Sequence, residues 1–235
     1  MLSRLRANIP NAITCMNLLS GALACIFAFR YSETIGPMAG YQWAFLFIAA
    51  SAVFDFCDGA MARLLHVYSL IGKELDSLSD LISFGLAPTM LMYNTIVAAN
   101  DGTPVWWAYT ALIIAVMGGL RLAKFNVDDR QTTSFIGLPI PANAIFWIGM
   151  VAWIHAHGYP GNAIVAVIML LVALLMVSSL PMFSLKFSDF GWRNNFRRYI
   201  MLAAAAIFVI TEGLPGLAWA ILLYILISAT MRKEA

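Results

Sequence analysis

Eight apolar runs follow one another along the chain, at roughly residues 11–30, 42–65, 74–98, 104–124, 138–157, 160–180, 197–212 and 214–231. A helix that crosses a bilayer needs about 20 mostly apolar residues. The runs therefore predict an all-α fold, a polytopic membrane bundle of about eight transmembrane helices. Gly36-Pro37, Asp101-Gly102-Thr103-Pro104, Asp128-Asp129-Arg130, Gly158-Tyr159-Pro160 and Gly213-Leu214-Pro215 mark the breaks between them. Composition agrees, with 62% apolar and 11% charged residues against about 45–50% and about 25% in soluble domains. Charge this sparse gives no reason to expect a nucleic-acid partner. Cys15, Cys25 and Cys57 are odd in number and lack paired spacing, so they read as small buried hydrophobes.

The basic residues orient the bundle. With an inside N-terminus and eight spans, thirteen of the fourteen lysines and arginines fall inside and only Arg30 falls outside. Because cytoplasmic loops collect Lys and Arg, both termini are expected in the cytoplasm, with the protein in the cell (inner) membrane. Leu2, Leu5 and Ile9 beside Arg4 and Arg6 predict an N-terminal interfacial helix. Residues 182–198 interleave aromatic and basic side chains and predict a second interfacial segment.

Four carboxylates fall where an apolar span should have none. Asp55 and Asp58 are spaced i, i+3 near the end of the second run, and Asp76 and Asp80 are spaced i, i+4 near the start of the third. Each pair lies on one helix face. Ionisable groups inside the membrane are costly and mark function. The short link between the two runs brings all four to one depth, where their mutual repulsion calls for cations. Two divalent ions bridged by shared carboxylates would supply them. Oxygen ligands with no His or Cys nearby point to Mg²⁺ or Mn²⁺. Gly59, Ala62 and Gly72 keep the surrounding faces open, and Arg63 can hold a phosphate in two hydrogen bonds. The group reads as a diphosphate cradle.

Residues 55–80 carry Asp55, Asp58, Gly59, Ala62, Arg63, Gly72, Asp76 and Asp80 at the spacing D-x2-D-G-x2-A-R-x8-G-x3-D-x3-D. This pattern resembles the CDP-alcohol phosphotransferases at all eight positions. The resemblance implies a helical membrane fold, usually homodimeric, with its site at the cytoplasmic interface. It also implies that the four aspartates hold two metals and that Asp80 is the candidate base, with Asp76 beside it. The stretches 9–17, 121–126 and 135–142 are similar to the membrane-embedded phosphatidylserine synthases of that family. CDP-diacylglycerol, L-serine and membrane lipids are then the expected partners. Thr14 and Asn17 are expected to bind the CDP-lipid, or alternatively to pack helices. Arg121, Lys124, Asn126 and Arg130 are expected to receive serine, or alternatively to anchor the loop. Metal activation of the acceptor hydroxyl stands as an alternative to Asp80. The chain reads as one domain, 1–235, with a six-helix core at 9–180 and two extra C-terminal spans at 197–231. Another acceptor, such as glycerol phosphate, is the nearest alternative. A cation transporter is more remote, because the carboxylates sit at one face and the motif does not repeat.

Overall fold

The computed structural model describes residues 2–67, 69–127, 135–183 and 191–230. Among these, eight helices form the fold: α1 (Leu2–Phe29), α2 (Gly40–Leu65), α3 (Leu70–Ala99), α4 (Trp106–Val127), α5 (Ile140–His157), α6 (Asn162–Val177), α7 (Trp192–Glu212) and α8 (Gly216–Ala229). The stretches Asn8–Phe29, Gly40–Leu65, Leu70–Ala99 and Trp106–Val127 are long and apolar enough to cross a membrane. The helices α6 and α8 are equally apolar but have only 16 and 14 residues. At about 1.5 Å per residue they fall short of a core about 30 Å thick. Large apolar side chains such as Leu19, Ile26, Val53 and Phe56 point outward, as a protein solvated by lipid requires. This is an all-α membrane protein.

The N-terminal segment is not a separate interfacial helix but the first turns of α1, which runs unbroken through Pro10. The expected amphipathic face at 2–7 and most of the aromatic-basic stretch 182–198 lie outside the described side chains.

Local signals set the two ends of the α2–α3 turn. His66 adopts φ 52 and closes α2, and the Ser69 hydroxyl accepts from Gly72 N–H at 2.9 Å to cap α3. So short a turn leaves the end of α2 and the start of α3 side by side.

Two features shape α3 below the turn. Its residues Leu81–Leu86 form a π-helical turn immediately after Asp80. Pro88 has no N–H to offer its own helix. The Phe84 carbonyl that such a donor would reach accepts instead from Asn143 Nδ2 of α5 at 3.2 Å. Asn143 is in turn fixed by Trp147 Nε1 at 2.8 Å.

The core lies on α5, where ten of the fifteen residues from Ile140 to Ile154 are buried. A Cβ at Gly118 of α4 would meet Ile140 at 2.9 Å, so glycine lets α4 close on α5. Two small antiparallel pairs cover the helix ends. β1 (Thr34–Ile35) joins β2 (Met38–Ala39), and β3 (Phe135–Ile136) joins β4 (Pro181–Met182).

Candidate active site

The short turn groups three of the four aspartates that the spacing brings to one depth. One carboxylate oxygen from each of Asp55, Asp76 and Asp80 lies within 4.8 Å of the others. Asp55 comes from α2 and the other two from α3, so neither helix could build the cluster alone. Asp58, 6% exposed, lies one turn further along α2 and within electrostatic reach of Asp76. Its Oδ2, and Oδ1 of Asp76, are buried with no hydrogen-bond donor among the described residues. Leaving such oxygens unpaired is expensive in a low-dielectric setting. Closely grouped hard oxygens, with two buried carboxylate oxygens beside them that lack a donor among the described residues, fit a metal ion.

Asp58 and Asp76 also line a cavity of about 220 Å³ formed between α1, α2 and α3. Its wall includes Asn11 and Thr14 from α1, Gly59, Ala62 and Arg63 from α2, and Ser69, Gly72 and Lys73 from the turn and α3. A Cβ on Gly59 would meet only Arg63 Nη1, at 3.5 Å, so this wall is open. A Cβ on Gly72 would come within 2.8 Å of Asn11 Oδ1 and 2.9 Å of Ser69 Oγ. Glycine is therefore required there by the cap and by Asn11 as much as by any ligand.

Thr14 lies beside the Asp58 carboxylate and also donates to the Pro10 carbonyl at 3.0 Å. Asn17, one turn on, is fully buried and away from the cavity. Its Nδ2 donates to Asp80 Oδ1 at 3.4 Å, and its Oδ1 accepts from Ser83 Oγ at 2.7 Å. The Asn17 carbonyl accepts from Ser51 at 3.2 Å and Ser83 at 3.1 Å, so three helices meet on this residue. Gly21 gives Ser83 its space, since a Cβ there would collide with the Ser83 side chain. The helical spacing of Thr14 and Asn17 showed a shared face, but nothing in it showed that Asn17 turns to the aspartates.

The residues expected around the acceptor separate. Arg121 is 7% exposed and acts on the charge of Asp80. One face of its guanidinium lies over the Phe125 ring, 5.3 Å from the centroid. Among the described residues it makes no hydrogen bond. Lys124 instead donates to the Val177 carbonyl at the end of α6, at 3.4 Å. Asn126 donates to Ser77 Oγ at 2.9 Å and takes Lys73 Nζ on its carbonyl at 3.1 Å. Both tie the end of α4 to its neighbours. Arg130 lies outside the described residues.

Residues 7–180 match the family model described as CDP-alcohol phosphatidyltransferase. The chain is 35% identical over 172 residues to a CDP-diacylglycerol–serine O-phosphatidyltransferase of Methanocaldococcus jannaschii, covering 73% of this chain and 72% of that one. It is 40% identical over 133 residues to the Bacillus subtilis protein of the same name, covering 57% and 69% respectively. A third so named, from Mycobacterium leprae, is 36% identical over 151 residues, covering 61% of this chain and only 46% of the relative. The chain thus spans about half the length of that relative.

Proposed function

The chain belongs to the CDP-alcohol phosphatidyltransferase family, and on that premise we infer that it transfers the phosphatidyl group of CDP-diacylglycerol to the hydroxyl of L-serine, releasing CMP. The relatives bearing that activity in their names support the acceptor. The observation that carries the chemistry is the meeting of Asp55, Asp76 and Asp80 oxygens within 4.8 Å, next to the cavity of about 220 Å³ that Asp58 and Asp76 line.

Asp55, Asp58, Asp76 and Asp80 hold two divalent cations, Mg²⁺ or Mn²⁺, in keeping with the all-oxygen donor set. Bound there, such ions stabilise the charge of the diphosphate and of the departing CMP phosphate. Gly59 and Ala62 leave room for the diphosphate, Arg63 pairs with its oxygens, and Thr14 contributes a hydroxyl to the same wall. Asp80 accepts the proton of the serine hydroxyl as the new O–P bond forms and the P–O bond to CMP breaks. Asn17 holds one Asp80 oxygen and leaves the other to act, which makes it a positioning residue rather than a lipid ligand. Arg121, buried and without a hydrogen bond among the described residues, receives the serine carboxylate. Lys124 and Asn126 frame that region. The site faces the cytoplasm of the inner membrane, in line with the basic-residue asymmetry, and the enzyme works as a homodimer.

The test is CMP release by the purified protein from CDP-diacylglycerol in mixed micelles with a panel of alcohols. L-serine is expected to be the preferred acceptor, with activity lost in excess EDTA and restored by Mg²⁺ or Mn²⁺. Release with glycerol 3-phosphate but none with L-serine would overturn the acceptor and leave the family unaffected.

A further inference from the structure

Two cations line the cavity that Asp58 and Asp76 share, Arg63 from α2 and Lys73 from the first turn of α3. Lys73 precedes Asp76 by three residues and Arg63 follows Asp58 by five. At about 1.5 Å per residue, both cations lie toward the α2–α3 turn from their carboxylates, by about 4.5 Å and about 7.5 Å along the helix axes. Neither makes an ion pair among the described residues, although carboxylates line the same cavity.

Lys73 is also held by hydrogen bonds that an ordinary surface lysine lacks. Its Nζ donates to the Asn126 carbonyl at 3.1 Å, and Asn126 Nδ2 donates to Ser77 Oγ at 2.9 Å. Ser77 Oγ in turn donates to the Lys73 carbonyl at 3.2 Å. The three bonds close a circuit that starts and ends on Lys73 and joins the first two turns of α3 to the last turn of α4. A lysine head on its four-carbon stem has much rotamer freedom to lose, and fixing it beforehand lowers the cost of binding. An ammonium has three donors. The circuit uses one of them and leaves two.

The order of residues along α3 says which part of a diphosphate these donors would meet. Asp80 lies one turn further into the helix than Asp76, on the side away from Lys73. If Asp80 takes the proton of the attacking hydroxyl, the phosphorus under attack sits at that deeper end. The second phosphate of the donor, the one that leaves with CMP, then extends toward the turn and lies between Lys73 and Arg63.

We propose that Lys73 is a further catalytic residue, which holds the phosphate of the departing CMP from the α3 wall, and that Ser77 and Asn126 are positioning residues for it. This rests on the reading in which the chain transfers a phosphatidyl group with Asp80 as base. The serine oxygen bonds to the deeper phosphorus and its proton passes to Asp80, while the P–O bond to CMP breaks and its electron pair stays on the CMP phosphate. Lys73 offers its two remaining N–H groups to the charge that grows there. Asn126 thus acts on the donor through Lys73.

The experiment uses full-length protein in mixed micelles and measures CMP release, inhibition by added CMP or cytidine, and thermal melting. Lys73→Met is expected to lower kcat/KM for CDP-diacylglycerol about tenfold or more, the effect of one lost hydrogen bond between charged groups. The Ki of CMP should rise by a similar factor. Cytidine has no phosphate, so its Ki should stay within about twofold, as should the KM for L-serine. Lys73→Arg keeps the charge and should recover part of the loss. Ser77→Ala opens the circuit and should lower kcat/KM about threefold in the wild-type background, but not further in Lys73→Met, because the two residues act as one unit. An unchanged Ki for CMP in Lys73→Met would overturn the phosphate contact. Equal rises for CMP and cytidine, or uniform losses toward donor and acceptor with a lowered melting temperature, would make Lys73 structural and overturn it as well. Full additivity of Ser77→Ala and Lys73→Met would overturn the positioning circuit. Wild-type protein that releases no CMP with any alcohol would instead break the functional reading, and the proposal with it.

Discussion

The two ends of the helical bundle both bury polar groups, and they handle them in opposite ways. At the end formed by the α1–α2, α3–α4 and α5–α6 turns, the groups close on one another. Tyr31 Oη shares a 2.8 Å hydrogen bond with His155 Nε2 and accepts from Thr95 at 3.1 Å, while the Tyr41 ring stacks on His155 at 4.0 Å. Asn100 and Asn162 exchange hydrogen bonds at 3.0 and 3.1 Å, and Tyr159 donates to Asn162 at 2.8 Å. At the aspartate end, Asp58 Oδ2 and Asp76 Oδ1 stay open, and the link from Asn17 to Asp80 stretches to 3.4 Å. A bilayer offers no water to a stranded polar group. Closure marks a joint that holds helices together, and open valences mark a place kept for something that binds.

Three substitutions can break or sharpen this contrast. The largest effect is expected at the open end. Asp76→Asn should cut CMP release by about a thousandfold, the scale on which removing a key electrostatic group acts. Its melting temperature without metal should hold or rise, because one of several mutually repelling carboxylates is gone. A marked fall in melting temperature would show that Asp76 serves folding, and the contrast would fail.

Asn17→Ala probes the hydrogen bond to Asp80 and should have an intermediate effect. We expect kcat to fall about tenfold, with Asp80 still present but less well held, since one hydrogen bond to a charged group contributes about 1.5–3 kcal/mol. Stability should fall as well, because Ser83 loses its shorter contact, to Asn17 Oδ1, and keeps only the Asn17 main-chain carbonyl. Unchanged kcat together with lost stability would assign Asn17 to helix packing alone.

The smallest effect on catalysis is expected at the closed end. Tyr31→Phe should leave kcat and both KM values within about twofold while costing about 1 kcal/mol of stability, the net worth of a neutral hydrogen bond. A large change in turnover from this distant joint would show that the two ends are coupled, and the division drawn between them would not stand.

Much of the site was legible in the residues themselves. The i, i+3 and i, i+4 spacing of the aspartates, with a brief basic turn between the runs, was enough to bring two helix faces together, because helical periodicity fixes which residues share a face. The partners of Asn17, Lys124 and Asn126 were not. Asn17 lies on α1 and meets residues 51, 80 and 83 on other helices. Lys124 meets the end of α6 and Asn126 the start of α3. A polar residue near a span end has the same local appearance whether it faces a substrate or a neighbouring carbonyl.

By itself the sequence determined the membrane class, the order of the helices, the four intramembrane carboxylates and the family pattern that contains them. Each of these follows from hydropathy or from spacing within a single segment. Only the tertiary structure decided which three aspartate oxygens meet and that Asp58 sits on the cavity wall. Helical spacing gives the relative angle of two side chains on one axis. The rotation of one helix against another is set by close approaches such as Gly21 to Ser83 and Gly149 to Ala218, and by a π turn that shifts the phase of α3 immediately beyond Asp80. Such rotations arise from packing between segments, and no single segment contains them.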